Sequence, residues 1–308
     1  MSIKNIMVAT DFSDLSDNAI RLGEYLGEKF NAGLFITHIV KNLDDTYSII
    51  VEREEFESLK RSVSSDIEDQ LKRIVKDVDS WKKLVKEGEP CDEIIKLSKE
   101  NNIDLVVAGL WGKGHGRKFK TAGTVIKRIL QKSHLDIVAV HPETKPPVKN
   151  IGVGVDLSEI SFTALKKAIS LAERLKIDRI EVVHAFELPL GYYKIGLSHK
   201  EATDRLVSHI EEKFNSKIEE IGKDRVELKL NILEGETTEV INRFVKDKNI
   251  DILFIGARGS SKSATVLLGN VVEKILYSAN TTVWIVKSHE HNIGFWRAIG
   301  KLMGLIPE

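Results

Sequence analysis

Short apolar runs alternate with longer amphipathic stretches along most of the chain. A run such as Leu34–Val40 (LFITHIV) is short and rich in β-branched residues, which is typical of a buried strand. A stretch such as Glu54–Val78 places apolar residues at every third or fourth position, which predicts a helix with one apolar face. Strands that alternate with helices in this way predict an α/β fold, in which helices cover both faces of a doubly wound parallel sheet.

The pattern occurs twice along the chain. Lys4-Asn5-Ile6 returns as Lys149-Asn150-Ile151, and Asp11-Phe12-Ser13 returns as Asp156-Leu157-Ser158, in both cases 145 positions later. Repetition over a whole α/β pattern predicts an internal duplication, with one sheet in each copy.

A proline-rich segment separates the two copies. Residues 141–149 (HPETKPPVK) contain three of the six prolines of the chain, which is typical of a linker. We therefore expect tandem domains at residues 1–144 and 145–288. The amphipathic tail at residues 289–308 lies outside the duplication, and we expect it to pack on the protein itself or on a second chain rather than on a membrane.

Each copy contains a strand, a glycine-bearing loop and a helix in succession. In the second copy the predicted strand Ile252–Ile255 leads to Gly256 and Gly259, and Gly269 precedes the next apolar stretch. Glycine permits positive φ and the close approach of a ligand. A helix start attracts anions, and Asn270 is a favourable N-cap residue. The stretch is either a phosphate-binding loop or a connection that needs glycine only for its turn.

The first copy repeats this stretch with a longer loop. Gly109 and Gly112 precede their counterparts by 147 positions, but Gly123 precedes its counterpart by 146, so the first loop has one additional residue. The loop is also basic, and its charged residues could contact a phosphate or simply be solvated. These residues are Lys113, His115, Arg117, Lys118 and Lys120.

Five other residues carry candidate chemistry. Asp11 and Asp156 follow the first predicted strand of each copy, where an aspartate can contact a ligand or cap a turn. His38 and His184 lie in apolar strands, so we expect each to be a core or hydrogen-bonded residue rather than a ligand or a base. Cys91 follows a proline near a helix start, and we expect a capping or packing role rather than a reactive thiolate.

Composition excludes several classes of function. The 308 residues include 46 basic and 46 acidic side chains, and this zero net charge argues against nonspecific nucleic-acid binding. One cysteine excludes an intrachain disulfide and a multi-cysteine metal site. No apolar run approaches the roughly 20 residues of a membrane span. We expect a cytoplasmic protein.

At these residues the chain resembles the universal stress protein family in its tandem form. The family motif is Gly, two residues, Gly, nine residues, Gly, then Ser or Thr; Gly256, Gly259 and Gly269 fit it, and Asn270 replaces the hydroxyl residue. The histidine of the second strand and the early aspartate also match in both copies. The resemblance implies two Rossmann-like domains of the adenine nucleotide alpha hydrolase-like type.

The resemblance also implies an ATP site, with or without Mg²⁺. The aspartate would contact the adenosine, the backbone after the strand-two histidine the adenine, and the glycine loop the phosphates. In the second domain the implied residues are Asp156, Ala185, Gly256, Arg258, Gly259, Gly269, Asn270 and Val271. In the first domain they are Asp11, Ile39, Gly109, Gly112, Gly123 and Thr124. We rank the second site higher, because the longer first loop shifts its amides relative to Gly123.

Three functions follow as hypotheses. The first is an adenine-nucleotide-binding stress or regulatory protein with nucleotide mainly in the second domain. The others are an interaction module that binds no nucleotide and a slow ATPase, for which no catalytic residue is assigned. A homodimer, a pairing of the two copies within one chain, and an unknown protein partner are all expected forms of association.

Overall fold

The structure is a computed structural model that describes residues 3–41, 53–110, 124–221, 226–257 and 269–287. The first domain contains β1 (Asn5–Ala9), α1 (Asp14–Phe30), β2 (Gly33–Val40), α2 (Arg53–Ile74), β3 (Trp81–Glu87), α3 (Pro90–Glu100), β4 (Leu105–Gly109), α4 (Thr124–Lys132) and β5 (Asp136–Val140). The second contains β6 (Ile151–Gly154), α5 (Glu159–Leu175), β7 (Arg179–Phe186), a 3-10 turn (Tyr192–Ile195), α6 (His199–Ile221), β8 (Glu227–Glu234), α7 (Thr237–Asp247), β9 (Ile252–Gly256), α8 (Asn270–Ser278) and β10 (Thr282–Val286). The predicted alternation of strands and helices is confirmed.

The two domains share one sheet. Its ten strands lie in the order β3-β2-β1-β4-β5-β10-β9-β6-β7-β8. All neighbours are parallel except β5 and β10, which pair antiparallel and join the domains. The sequence pattern predicted a sheet in each copy, and the structure fuses the two into a continuous one.

Helices cover both faces of this sheet, as predicted. One buried apolar layer contains residues of α1, α2, α5 and α6, and the opposite layer contains residues of α3, α4, α7 and α8. Each layer includes side chains of both domains, so the core continues across the junction. No helix in the described part of the chain is long and apolar enough to cross a membrane.

The repeated sequence Asn-Ile-Asp before β4 and β9 has a structural role. Asp104 Oδ2 accepts hydrogen bonds from the amides of Lys4-Asn5 at 2.7 and 3.1 Å. Asp251 Oδ2 accepts the equivalent bonds from Lys149-Asn150, both at 2.8 Å. These carboxylates align the starts of neighbouring parallel strands, so their recurrence does not indicate a ligand site.

The segment at 141–149 packs against the sheet instead of projecting from it. Val148 is 4% exposed, and the amide of His141 donates to Thr282 Oγ1 at 3.0 Å. The segment contains a cis peptide bond between Pro146 and Pro147. The tail at 289–308 lies outside the described residues.

Candidate functional site

The strand order creates one switch point in each domain. β1 lies between β2 and β4, and β6 lies between β7 and β9, so the chain turns to opposite sides after these strands. Crevices for ligands in such sheets open beyond the carboxyl ends of the strands at the switch. Asp11 and Asp156 follow β1 and β6, and Gly109 and Gly256 end β4 and β9. Each aspartate therefore lies at the same sheet edge as the glycine of its own domain.

Both aspartates are held in a turn by the serine two residues later. Asp11 Oδ1 accepts hydrogen bonds from the Ser13 amide at 3.1 Å and the Ser13 hydroxyl at 2.5 Å. Asp156 Oδ1 accepts from the Ser158 amide at 3.1 Å and also from the Ser158 hydroxyl. Ser13 and Ser158 in turn cap α1 and α5. The turn role is thus confirmed, and it fixes each carboxylate at the edge of the sheet.

The residue after each aspartate has a left-handed backbone. Phe12 has φ 61° and Leu157 has φ 63°, a region that non-glycine residues occupy at a cost of about 1 kcal/mol or more. Both side chains pack against the apolar layer beneath the turn. Packing therefore stabilises a strained turn that directs the preceding aspartate outward.

The two histidines are half-buried and hold β2 and β7 to these turns through hydrogen bonds, which confirms the hydrogen-bonded alternative. His38 Nδ1 lies 2.9 Å from the Thr10 carbonyl oxygen, and His184 Nδ1 lies 2.8 Å from that of Val155. Burial lowers the pKa of His184, and this effect exceeds the opposing effects of the Val155 carbonyl and the Asp156 carboxylate. His184 is consequently neutral at pH 7, and its Nδ1 donates to the carbonyl.

The residues after these histidines lie at different depths. Ile39 is 7% exposed, belongs to the apolar core and pairs with Lys86 of β3. Ala185 is only partly buried and pairs with Leu233 of β8. The small Ala185 side chain leaves more room beside the second turn than Ile39 leaves beside the first.

The glycine loop of the second domain is closed at its base. The Ala257 amide donates to the Val286 carbonyl at 2.8 Å, and the Gly269 amide donates to the Ala257 carbonyl at 2.9 Å. These bonds bring the start of α8 to the end of β9. Val271 is 37% exposed, and Asn270 is exposed as well. The first turn of α8, whose leading amides have no partner within the helix, therefore lies at the same sheet edge as Asp156.

The expected capping role of Asn270 is wrong. Gly269 is the N-cap residue, with φ −75° and ψ 144°, and as a glycine it forms no side-chain capping bond. The Gly269 carbonyl accepts the first helical bond, from Glu273, at 3.1 Å. Asn270 is already in helical conformation, so its side chain does not occupy the position from which an N-cap bonds the first-turn amides.

Several predicted residues lie outside the described part of the chain. They are Gly112, Gly123, Arg258 and Gly259, together with the basic residues of the first loop. Thr124 is the first residue of α4, but its side chain also lies outside the description. Their roles at a ligand stay predictions.

Cys91 packs in the core. Its side chain is fully buried in the layer formed by α3 and α4, and burial raises the pKa of the thiol. The expected packing role is confirmed, and the thiol form is favoured at neutral pH.

Two further features complete the description of the surface. Within the described ranges, no group of three or more His, Cys, Asp or Glu residues is arranged to hold a metal ion. A cavity of about 470 Å³ opens between the 3-10 turn and α6 and is lined mainly by apolar residues such as Leu188, Leu206 and Ile195.

Sequence reasoning missed a polar cluster under the first turn. Thr10 Oγ1 donates to Gln70 Oε1 at 2.8 Å, and Gln70 Nε2 donates to Asp17 Oδ1 at 2.7 Å. The only available signal was that polar residues interrupt the apolar faces of α1 and α2. The positions equivalent to Thr10 and Asp17 in the second copy are Val155 and Phe162.

Comparison with known proteins settles the family. The model of the universal stress protein family matches residues 2–141 and again residues 147–287. The chain belongs to the universal stress protein family. Because the match occurs twice, it is a tandem, two-domain member.

Individual relatives agree with this assignment. Universal stress protein MJ0577 of Methanocaldococcus jannaschii is 26% identical over 154 residues, which cover 45% of this chain and 94% of that protein. A universal stress protein from Archaeoglobus fulgidus has the same fold over 92% of this chain and 98% of its own, with a TM-score of 0.62 and 19% identity. Protein PA1789 from Pseudomonas aeruginosa, described as functionally unknown, gives a TM-score of 0.66 at 14% identity, covering 97% and 98%.

Proposed function

We propose that this universal stress protein binds an adenine nucleotide, ATP or a close analogue, at the carboxyl edge of its second domain. The observation that carries the proposal is the position of Asp156. Its exposed carboxylate is fixed by Ser158 at the same sheet edge as the first turn of α8. A nucleotide needs this combination of an acceptor for its ribose and donors for its phosphates.

The chemistry of the residues fits such a ligand. A carboxylate accepts hydrogen bonds from ribose hydroxyls, as the acidic residue of dinucleotide-binding folds does. The amides at the start of α8, including those of Asn270 and Val271, point out of the helix where an anion is stabilised. The half-buried Ala185 offers backbone groups beside the turn, which suit the edge of an adenine ring.

A carboxylate in the first turn of α8 would oppose a phosphate unless its charge were balanced. Glu273 occupies that turn and forms an ion pair with Lys127 of α4. The pairing raises the pKa of Lys127, so the ammonium persists at neutral pH. The first domain thereby offsets the negative charge of Glu273.

The first domain is a poorer candidate. Asp11 is half-buried whereas Asp156 is exposed, and Ile39 fills space that Ala185 leaves open. The loop after Gly109 is also one residue longer. We therefore propose that the second site accounts for most of the nucleotide binding, and that Mg²⁺, where required, arrives with the nucleotide.

Isothermal titration of the full chain with ATP and magnesium tests the proposal. Asp156→Asn keeps the turn acceptor but removes the charge, and we expect it to weaken binding at least tenfold, a loss of about 1.4 kcal/mol. Asp11→Asn is the matched control in the first domain and should bind like the wild-type protein. Unchanged affinity in both Asp156→Asn and Gly259→Val would refute a site at this edge.

A further inference from the structure

The junction between the domains places repeat-equivalent residues opposite one another. In the antiparallel pairing of β5 and β10, Val138 lies opposite Trp284. These residues are 146 positions apart, and β5 and β10 as a whole are related by the same offset. A residue that faces its own counterpart lies on the axis that relates two repeats. The approximate two-fold axis of the molecule therefore passes between Val138 and Trp284.

The two residues on this axis differ greatly in size. Trp284 is fully buried, stacks on Phe254 with ring centroids 4.8 Å apart, and meets the edge of Phe30 at 6.5 Å. If two first domains paired by the same edge, valine would face valine and leave a cavity. If two second domains paired, tryptophan would face tryptophan and overpack the junction.

A second pair on the axis carries opposite charges. Lys127 of α4 and Glu273 of α8 are also 146 positions apart, and they form an ion pair between the domains. Pairing of two first domains would bring lysine against lysine, and pairing of two second domains glutamate against glutamate. Only the pairing of unlike domains gives attraction at this position.

A buried ion pair beside the axis has the same property. Asp136 of β5 is 1% exposed, and its Oδ2 lies 2.5 Å from Nζ of Lys167 on α5. Asp136 also accepts hydrogen bonds from the Trp284 indole at 3.4 Å and the Lys287 amide at 3.0 Å. The carboxylate of the first domain is thus satisfied largely by groups of the second.

The counterparts of this ion pair are uncharged. Thr282 takes the position of Asp136, and Leu22 takes the position of Lys167. Two paired first domains would bury each Asp136 against a leucine, and two paired second domains would place each Lys167 beside a threonine. Either arrangement leaves an uncompensated buried charge, which is strongly unfavourable.

We propose that the β5–β10 junction is a selective interface, built so that each domain fits the other and rejects a second copy of itself. Size complementarity at Val138 and Trp284, together with the pairs Lys127–Glu273 and Asp136–Lys167, sets this choice of partner. The edge strands consequently close within one chain, and copies of the protein do not associate by joining like domains. The inference is independent of nucleotide binding.

Two full-length charge variants test the selection directly. An acidic chain carries Lys127→Glu and Lys167→Asp, so positions 127, 136, 167 and 273 are all negative. A basic chain carries Asp136→Lys and Glu273→Lys, so the same four positions are all positive. Within either chain the junction repels, but the first domain of each complements the second domain of the other.

The two variants are co-expressed with different affinity tags, purified through both tags and weighed by native mass spectrometry. We expect a one-to-one complex of the acidic and basic chains in at least tenfold greater yield than a complex of two differently tagged wild-type chains. Folded variants that form no more of this complex than the wild-type pair would overturn the proposal.

A milder set of variants covers the case in which the charge variants do not fold. Asp136→Thr and Lys167→Leu each introduce the residue of the other repeat, singly and together, and urea midpoints are compared. We expect the double variant to lie closer to the wild-type midpoint than either single variant, because no unpaired charge remains. Additive shifts of the two midpoints would contradict a coupled, partner-selecting pair.

Discussion

The two turns that present Asp11 and Asp156 have the same backbone conformation, but different side chains pack beneath them. Each has a serine-bound aspartate followed by a residue with φ near 60°. Under the first turn lies a buried polar cluster of Thr10, Ser16, Asp17 and Gln70. Under the second turn, Val155 replaces the threonine, and Phe162 contacts Phe214 with ring centroids 6.1 Å apart.

The turn therefore does not depend on one particular set of side chains beneath it. The left-handed residue and the helix cap are present above both the polar cluster and the aromatic pair. Either a satisfied polar network or a packed aromatic pair is therefore sufficient to support the turn. The results at the surface nevertheless differ, since Asp11 is half-buried and Asp156 is exposed. Stability and ligand access can therefore be tested separately in the two domains.

The largest expected effect comes from removing the aromatic pair. Phe162 is 3% exposed, so Phe162→Ala should lower the free energy of unfolding by about 3–5 kcal/mol through lost contacts and the cavity left behind. Urea denaturation followed by circular dichroism measures the loss. Tyr193→Ala is the control, because Tyr193 is 65% exposed and its removal should change stability by about 0.5 kcal/mol or less. Similar losses in the two variants would show that Phe162 does not support the turn.

A smaller effect is expected from the polar cluster. Gln70→Leu conserves approximate size but leaves Thr10 and Asp17 without their buried amide partner, at a cost of about 1–3 kcal/mol. The same urea experiment applies. Ser64→Ala on the exposed face of the same helix should be nearly neutral. If Gln70→Leu proved as stable as the wild-type protein, the polar cluster would contribute nothing to the first turn.

The smallest expected effect is on the pH dependence of stability, through His184 beside the second turn. Burial places the pKa of His184 below its ordinary 6.5, so the unfolded chain binds this proton first as the pH falls. The free energy of unfolding should therefore decrease as the pH falls below 6.5. His184 contributes a slope of at most about 1.4 kcal/mol per pH unit. His184→Gln should flatten the decline, whereas His209→Gln, at an exposed position of α6, should retain it. An unchanged slope in His184→Gln would place the pH dependence elsewhere.

Periodicity in the sequence predicted most of the fold. Apolar runs and amphipathic stretches located the strands and helices. The antiparallel junction was not foreseen in this way. Ile137–Val140 and Val283–Val286 are uniformly apolar, so nothing in their pattern specifies the neighbour that covers their outer edges.

Local chemistry at the candidate site was harder to predict. The N-cap of α8 is Gly269 instead of the expected Asn270. The Gly269 amide bonds to the Ala257 carbonyl across the loop, and the local sequence does not predict such a contact. From the sequence alone, a charged residue such as Asp136 is interpreted as the end of a strand, because the partner strand is not known. The roles of Arg258 and Gly259 at a phosphate stay predictions, since both lie outside the described residues.

We propose above that the second domain binds an adenine nucleotide. The most direct test is to incubate the purified full chain with ATP and magnesium, remove free nucleotide, denature the protein and identify and count the released small molecules by mass spectrometry. We expect a single adenine nucleotide per chain, lost in Asp156→Asn and retained in Asp11→Asn. The proposal would be refuted if the wild-type chain released no nucleotide, or if the nucleotide were lost in Asp11→Asn but retained in Asp156→Asn.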